Sequence, residues 1–307
     1  MFERVLFATT GSPACDNAAK VAFDLARVHE AHLMLFHVLG LPSHGYSQLV
    51  RDVRTGEEEE VSEDYRQWVE EELKNTYELQ MQSYGNWSIQ LATGRPSREI
   101  LRAARSNNAD IVVLGAHTKD EDVAITKYRA VAGNTLRKVA KSSRTPVLIV
   151  NRPCDTCWSY FSHIVVGVDM SKASDYAFQF AYKTARDVGC RLHVFHAADL
   201  SSMYAGKEIG QEEIEKKIDE AKRKIKYHYI SQMEDYDNYD VEVWEGIPYV
   251  EILKFARAKE ADLIVMAHHA RDVDPEQADL GSTVEQVVLR AACPVASVNH
   301  PDKVVDM

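Results

Sequence analysis

Cysteine is scarce in this chain: five residues among 307, an odd number too small for a disulfide-dense secreted scaffold. No apolar run approaches the roughly 18 residues that a membrane-crossing helix needs. Positive charge is also short. Lys and Arg total 36 against 47 Asp and Glu, a net charge of −11, which opposes general binding to nucleic acid or to an anionic membrane surface. The opening Met1-Phe2-Glu3-Arg4-Val5-Leu6-Phe7 carries an acid and runs straight into a strand-like segment, unlike a secretory signal. Catalytic signatures are missing too: no Gly-x-x-x-x-Gly-Lys-Ser/Thr, no His-Glu-x-x-His and no Gly-x-Ser-x-Gly. What is present is ordinary globular composition, 45% hydrophobic and 27% charged, in a chain long enough for two domains. A cytoplasmic protein that contacts neither nucleic acid nor membrane is expected.

The chain repeats itself, and a repeat decides the architecture before any local reading does. Arg4-Val5-Leu6-Phe7-Ala8-Thr9-Thr10-Gly11-Ser12 matches His163-Ile164-Val165-Val166-Gly167-Val168-Asp169-Met170-Ser171 at a separation of 159, as Leu35-Phe36-His37-Val38 matches Val194-Phe195-His196-Ala197. Gly94-Arg95-Pro96 matches Gly246-Ile247-Pro248, and Ala109-Asp110-Ile111-Val112-Val113-Leu114 matches Ala261-Asp262-Leu263-Ile264-Val265-Met266, both at 152. Thr145-Pro146-Val147 matches Cys293-Pro294-Val295 at 148. Blocks in one order with small drifts indicate a duplicated domain.

Each copy alternates strand-like and helix-like segments. Short β-branched runs at 111–114, 147–150, 164–168 and 263–266 have the pattern of buried parallel strands. Ile214, Ile218, Ala221, Ile225 and Tyr229 recur at spacings of three and four, one face of a helix; Val61, Tyr65, Trp68/Val69 and Leu73 do the same in the first copy. The alternation predicts a parallel sheet covered on both faces, five strands per copy. The segment 41–56 is expected to be the longest loop. The expected division is a first domain over 1–151, a connector over 152–161 and a second domain over 162–307.

The order and duplication of these motifs resemble the universal stress protein family, within the adenine-nucleotide α-hydrolase-like folds. Its most specific marks here are Val168-Asp169-Met170-Ser171, Asp262-Leu263-Ile264-Val265-Met266, and Leu280-Gly281-Ser282-Thr283-Val284 followed by Cys293-Pro294-Val295. The resemblance implies an α/β fold: two Rossmann-like, doubly wound, five-stranded parallel sheets of strand order 3-2-1-4-5, packed as an intramolecular pseudo-dimer through their last strands. It implies a stress-response regulatory role with ATP or another adenine nucleotide as ligand, Mg accompanying it, and binding rather than turnover. Ligands of open α/β sheets sit beyond the carboxyl ends of the strands where the strand order reverses. That puts the sites at 10–12 with 115–118, and at 169–171 with 267–270. Each loop then enters a helix whose N-terminal N–H groups suit phosphate, although Ser282 or Thr283 would serve equally as a simple helix cap.

Nucleotide-binding relatives carry a first-strand Asp, then Gly-x-x-Gly, then Gly-Ser/Thr, the glycines allowing positive φ and close approach of backbone to phosphate. The first copy has Thr10 in place of the acid, Gly115-Ala116-His117-Thr118, and Gly133-Asn134-Thr135 after a long loop. The second keeps Asp169 and Gly281-Ser282-Thr283 but reads Ala267-His268-His269-Ala270. The second copy is therefore the favoured nucleotide site, through Asp169, Ser171, Ala267, Ala270, Gly281, Ser282 and Thr283. Thr10, Gly115, Gly133 and Thr135 form the less favoured one. The alternatives are an interaction protein of the same fold with decayed pockets, a slow ATPase or phosphotransfer enzyme, and a redox or metal module at Cys154 and Cys157.

The lone Cys154-Asp155-Thr156-Cys157, with His163 nearby, supplies too few ligands for structural zinc, so zinc is not expected. Cys15, Cys190 and Cys293 are expected as small buried hydrophobes. His37 and His196, ending the second strand of each copy, are expected to be hydrogen-bonded core histidines; His117, His268 and His269 fall at the site mouths. Lys216, Lys217, Lys222, Arg223, Lys224 and Lys226 follow acids along one helix, the arrangement of a solvated face. Neither the protein partner nor any homo-oligomer beyond the internal pair is specified by these patterns.

Overall fold

The computed structural model describes residues 2–42, 49–52, 56–116, 133–151, 161–200, 210–267 and 282–304, the side chains of 41, 42 and 282 excepted. The first lobe runs β1 (Arg4–Ala8), α1 (Asp16–Val28), β2 (His32–Val38), β3 (Gly40–Pro42), β4 (Leu49–Asp52), β5 (Glu58–Glu60), α2 (Glu63–Thr76), α3 (Glu78–Ser83), β6 (Trp87–Ala92), α4 (Pro96–Ser106), β7 (Ile111–Gly115), α5 (Asn134–Ser142) and β8 (Val147–Val150). The second runs β9 (His163–Gly167), α6 (Lys172–Val188), β10 (Arg191–Ala198), α7 (Gln211–His228), β11 (Tyr239–Glu245), α8 (Pro248–Ala258), β12 (Leu263–Met266), α9 (Ser282–Arg290) and β13 (Val295–Ser297).

One ten-stranded sheet passes through both lobes in the order β11-β10-β9-β12-β13-β8-β7-β1-β2-β6. Within each lobe, counting its own strands, the order is 3-2-1-4-5 and every pairing is parallel. The Val/Ile/Leu runs of β1, β7, β8 and β12 sit at its centre, buried almost throughout. One apolar layer lies under α1 and α6, the other under α4, α5 and α8. Local sequence sets the helix ends. The Ser62 hydroxyl accepts from the Tyr65 N–H at the start of α2, and the Ser171 hydroxyl from the Ser174 N–H at the start of α6. Pro96 and Pro248 open α4 and α8, where a missing N–H costs nothing. Gly189 ends α6 at φ +77.

The two lobes join edge to edge. β13 and β8 pair antiparallel, with Val295 opposite Ile149, Ala296 opposite Leu148 and Ser297 opposite Val147. Leu148 and Ala296 are equivalent positions of the repeat, so a local two-fold axis passes between them. The pairing removes two apolar edges that would otherwise invite aggregation. Side chains repeat the symmetry. Asn151 Nδ2 donates to the Val288 and Leu289 carbonyls, and its equivalent Asn299 donates to the Ala140 carbonyl, the equivalent of Val288. Arg137 and Glu285, also equivalent positions, form a salt bridge across the axis.

Two local expectations are corrected. The segment 41–56 is not simply a loop: β3, β4 and β5 form a small antiparallel sheet before α2. The strand expected over 164–168 is displaced by one residue, β9 spanning His163–Gly167. The thiols are as expected for two of three: Cys15 and Cys190 are buried, whereas Cys293 is partly exposed. Burial pushes the Cys190 thiol up to about 12, so it stays protonated at neutral pH. No helix among the described residues is long and apolar enough to cross a membrane.

Candidate functional site

At the reversal of strand order, the carboxyl ends of β1 and β7 lie together in the first lobe, as do those of β9 and β12 in the second. The chain leaves β1 and β9 by the same backbone route. Gly11 has φ +69 and its equivalent Met170 has φ +62, a left-handed conformation that a side chain adopts at a cost of about 1 kcal/mol. Beneath each turn lies a matched pair that the sequence did not reveal. The Thr9 hydroxyl is 2.5 Å from the Tyr77 hydroxyl, and the Ser174 hydroxyl 2.7 Å from that of Tyr229. Burial pushes both phenols well above the ordinary phenol range. His37 and His196 each donate from Nδ1 to the main-chain carbonyl at the end of the first strand, of Thr9 at 2.9 Å and of Val168 at 2.7 Å. They are structural histidines, His37 buried and His196 partly so.

The lobes differ above this common floor. In the second lobe Asp169 is exposed, and its Oδ1 accepts the Ser171 N–H at 3.0 Å, which fixes the carboxylate beside the turn. The Ser171 hydroxyl is engaged as the cap of α6. Ala267 follows β12 without a positive φ, so its Cβ imposes no backbone strain. Helix α9 begins at Ser282, which is thus its first residue rather than its cap, and Thr283 is partly buried in the same first turn. Ala270 and Gly281 lie outside the described residues, as do His117, His268, His269, Cys154 and Cys157.

In the first lobe Thr10 replaces the acid, and its hydroxyl is 2.8 Å from that of Ser12 and 3.4 Å from the Cys15 sulfur. Gly115 ends β7 with no positive φ; a Cβ there would come within 3.3 Å of the Ala14 carbonyl oxygen, so close packing of backbone calls for glycine. Gly133 precedes α5 at φ −58, with Asn134 and Thr135 in the first turn. The small sheet and α2 lean over this end. Thr10, Gly11, His37, Asp52, Trp68 and Glu72 help line a cavity of about 20 Å³ at this end, enough for one water. Asp52 is buried there and accepts from the Tyr65 hydroxyl, and its carboxylate and that of Glu72 would repel phosphate.

Among the described residues no cluster of three or more His, Cys, Asp or Glu is placed to hold a metal ion. A model of the universal stress protein family matches residues 1–151 and again residues 161–299. The chain belongs to the universal stress protein family. Universal stress protein MJ0531 of Methanocaldococcus jannaschii is 30% identical over 163 residues, covering 50% of this chain and 84% of the relative. A universal stress protein from Archaeoglobus fulgidus superposes over 96% of this chain and 98% of its own at a TM-score of 0.65 and 19% identity. A functionally unknown protein from Pseudomonas aeruginosa does so over 99% and 95% at 0.64 and 17%. At these identities the likeness is one of fold, and it extends over both lobes together. The tandem arrangement also gives a structural role to a repeated acid. Asp110 Oδ2 accepts the Glu3 and Arg4 N–H groups and Asp262 Oδ2 those of Ser162 and His163, pinning the first strand of each lobe to the fourth.

Proposed function

We propose that this tandem universal stress protein binds an adenine nucleotide in its second lobe, and that occupancy biases its contact with a protein partner. The observation that carries the reading is Asp169: exposed, oriented by the Ser171 N–H, and at the strand-order reversal beside an unstrained Ala267. The first turn of α9, at Ser282 and Thr283, offers main-chain N–H groups and partial positive charge to phosphates. Mg would accompany the phosphates, with Asp169 the nearest acid of the candidate set. The first lobe lacks the acid, and Asp52 and Glu72 line the corresponding end. The role proposed is binding rather than turnover. The protein is proposed to work in the cytoplasm.

Calorimetric titration with ATP tests the reading. The parent chain is expected to bind, Asp169→Ala and Ser282→Ala to bind more weakly, the latter by about 1.5–3 kcal/mol if a charged hydrogen bond is lost. Ala267→Gly with Ala270→Gly is expected to bind more tightly if those methyls hold the phosphates away. Gly133→Ala, in the first lobe, should change nothing. Failure of both the parent and the glycine variant to bind at millimolar ATP would replace this reading with an interaction protein whose pockets have decayed.

A further inference from the structure

At the opposite end of the sheet from the candidate nucleotide site, a row of three side chains crosses the amino ends of β9, β10 and β11. Asp240 Oδ1 is 2.7 Å from His193 Nδ1, and His193 Nε2 is 3.0 Å from His163 Nδ1. His193 is buried at 1% exposure and has the edge of Phe255 against it; His163, at the first position of β9, is partly exposed. The proton positions follow from the partners. A carboxylate only accepts, so His193 carries its proton on Nδ1. Burial holds the His193 ring below its ordinary pKa and therefore neutral, so its Nε2 accepts. His163 must then carry its own proton on Nδ1, which leaves a lone pair on its outer Nε2.

The other charges facing the row are few. Lys259 Nζ is 3.2 Å and Arg191 Nε 3.8 Å from Asp240 Oδ2, and Asp262 is taken up by the Ser162 and His163 N–H groups. Lys259 and Arg191 balance Asp240 and Asp262 in charge, so the row carries no net charge that would repel an anion. Nor does the fold require this row. The equivalent positions of the first lobe are Arg4, Met34 and Ser88, and its strands pair in the same way without it.

We propose that His163 Nε2 is an activated nucleophile, the acceptor of a phosphoryl group from a small acyl phosphate. The Nε2 lone pair attacks phosphorus and forms the N–P bond. The bond from phosphorus to the acyl oxygen breaks, and the carboxylate leaves with the electron pair. The Nδ1 proton of His163 passes to His193 Nε2, and the imidazolium so formed is held by Asp240. His193 and Asp240 are positioning residues in this scheme: they fix the tautomer of His163 and take up its proton, as the base and its orienting acid do in hydrolytic triads.

Two measurements test it, the first on the unmodified chain. Ring ¹⁵N chemical shifts should report both His163 and His193 as Nδ1–H tautomers; an Nε2–H tautomer at His163 overturns the proposal. In the second, the full chain is incubated with acetyl phosphate and mapped by mass spectrometry in alkali, where phosphoramidates survive. One phosphoryl group is expected on His163, absent in His163→Gln. His193→Gln and Asp240→Asn should slow its transfer about a hundredfold, the usual scale of lost proton transfer. The pH midpoint of the rate should also fall in Asp240→Asn, because an imidazolium has lost its carboxylate; a merely structural role would leave that midpoint in place. Equal labelling of the partly exposed His300, or an unchanged rate in both variants, would refute the assignment.

Discussion

The salt bridge between Arg137 and Glu285 sets a position of the repeat against its own equivalent. In a dimer of identical chains a residue this close to the two-fold would face a copy of itself, and two Glu or two Arg would repel. Divergence of the two copies allows opposite charges instead. The side chains are 32% and 16% exposed, so the pair is partly desolvated. Two unit charges about 4 Å apart attract by about 4 kcal/mol at an effective dielectric constant near 20. Desolvation offsets much of that, and Arg137 Nε, buried without a hydrogen-bond partner among the described residues, offsets more. A net coupling of about 1–2 kcal/mol is expected. Arg137→Met should cost about 2 kcal/mol, most of it from leaving Glu285 unpaired. Arg137→Glu should cost about 3–4 kcal/mol, since attraction becomes repulsion. The charge-swapped double variant, Arg137→Glu with Glu285→Arg, should recover most of the loss. Urea denaturation of the four proteins, read as a double-mutant cycle, measures the coupling. Single effects that add to within about 0.3 kcal/mol, or a swap no more stable than Arg137→Glu, would sink the argument.

Gly11→Ala should destabilise by about 1–2 kcal/mol, because φ is +69 and the new Cβ would lie 3.1 Å from Leu73 Cδ2; a thermal melt that does not move would refute it. Asp262→Ala should cost about 1.5–3 kcal/mol by releasing two main-chain N–H groups at the start of β9, with hydrogen exchange accelerating first at Ser162 and His163. Acid should destabilise the chain before any carboxylate titrates. Burial lowers His29 from 6.5 to about 4, and His193 is lowered as well, so the unfolded chain binds more protons in that window. Stability is thus complete above pH 6.5 and declines as pH falls toward 4, by about 2 kcal/mol for His29 once its partial exposure is allowed for. Denaturation midpoints at pH 7 and pH 5 should differ in the parent and lie closer together in His29→Phe, the remaining difference belonging to His193.

The fold was legible because it is written twice. Matched blocks at separations of 159, 152 and 148 fix which strands correspond, and the buried runs of β7, β8 and β12 carry their own signal. The small sheet was not legible. Glu58–Glu60 has no apolar alternation, Gly40–Pro42 contains a proline, and each strand exists only by pairing with its neighbours. The candidate site was half legible. Asp169 and the start of α9 follow from motif order, but the turn of Met170 and the Tyr229–Ser174 pair depend on how α6 and α7 dock. The row from Asp240 to His163 spans separations of 30 and 47 residues and becomes visible only when parallel strands align.

The joint between β8 and β13 has a kinetic and evolutionary consequence. Three paired strand positions, two asparagines and the ion pairs Arg137–Glu285, Arg144–Asp302 and Lys303–Asp110 are contacts that two separate chains at cellular concentrations would hold only if each surface stayed well fitted to the other. Here about a dozen residues tether Val150 to His163, and a short tether presents each edge to the other at an effective concentration of the order of millimolar. Association no longer depends on how much protein the cell makes. Either surface can then accumulate substitutions that would dissociate a two-chain assembly. One lobe can keep Asp169 while the other gives up its acid and grows a sheet over its mouth, and the pair still arrives assembled.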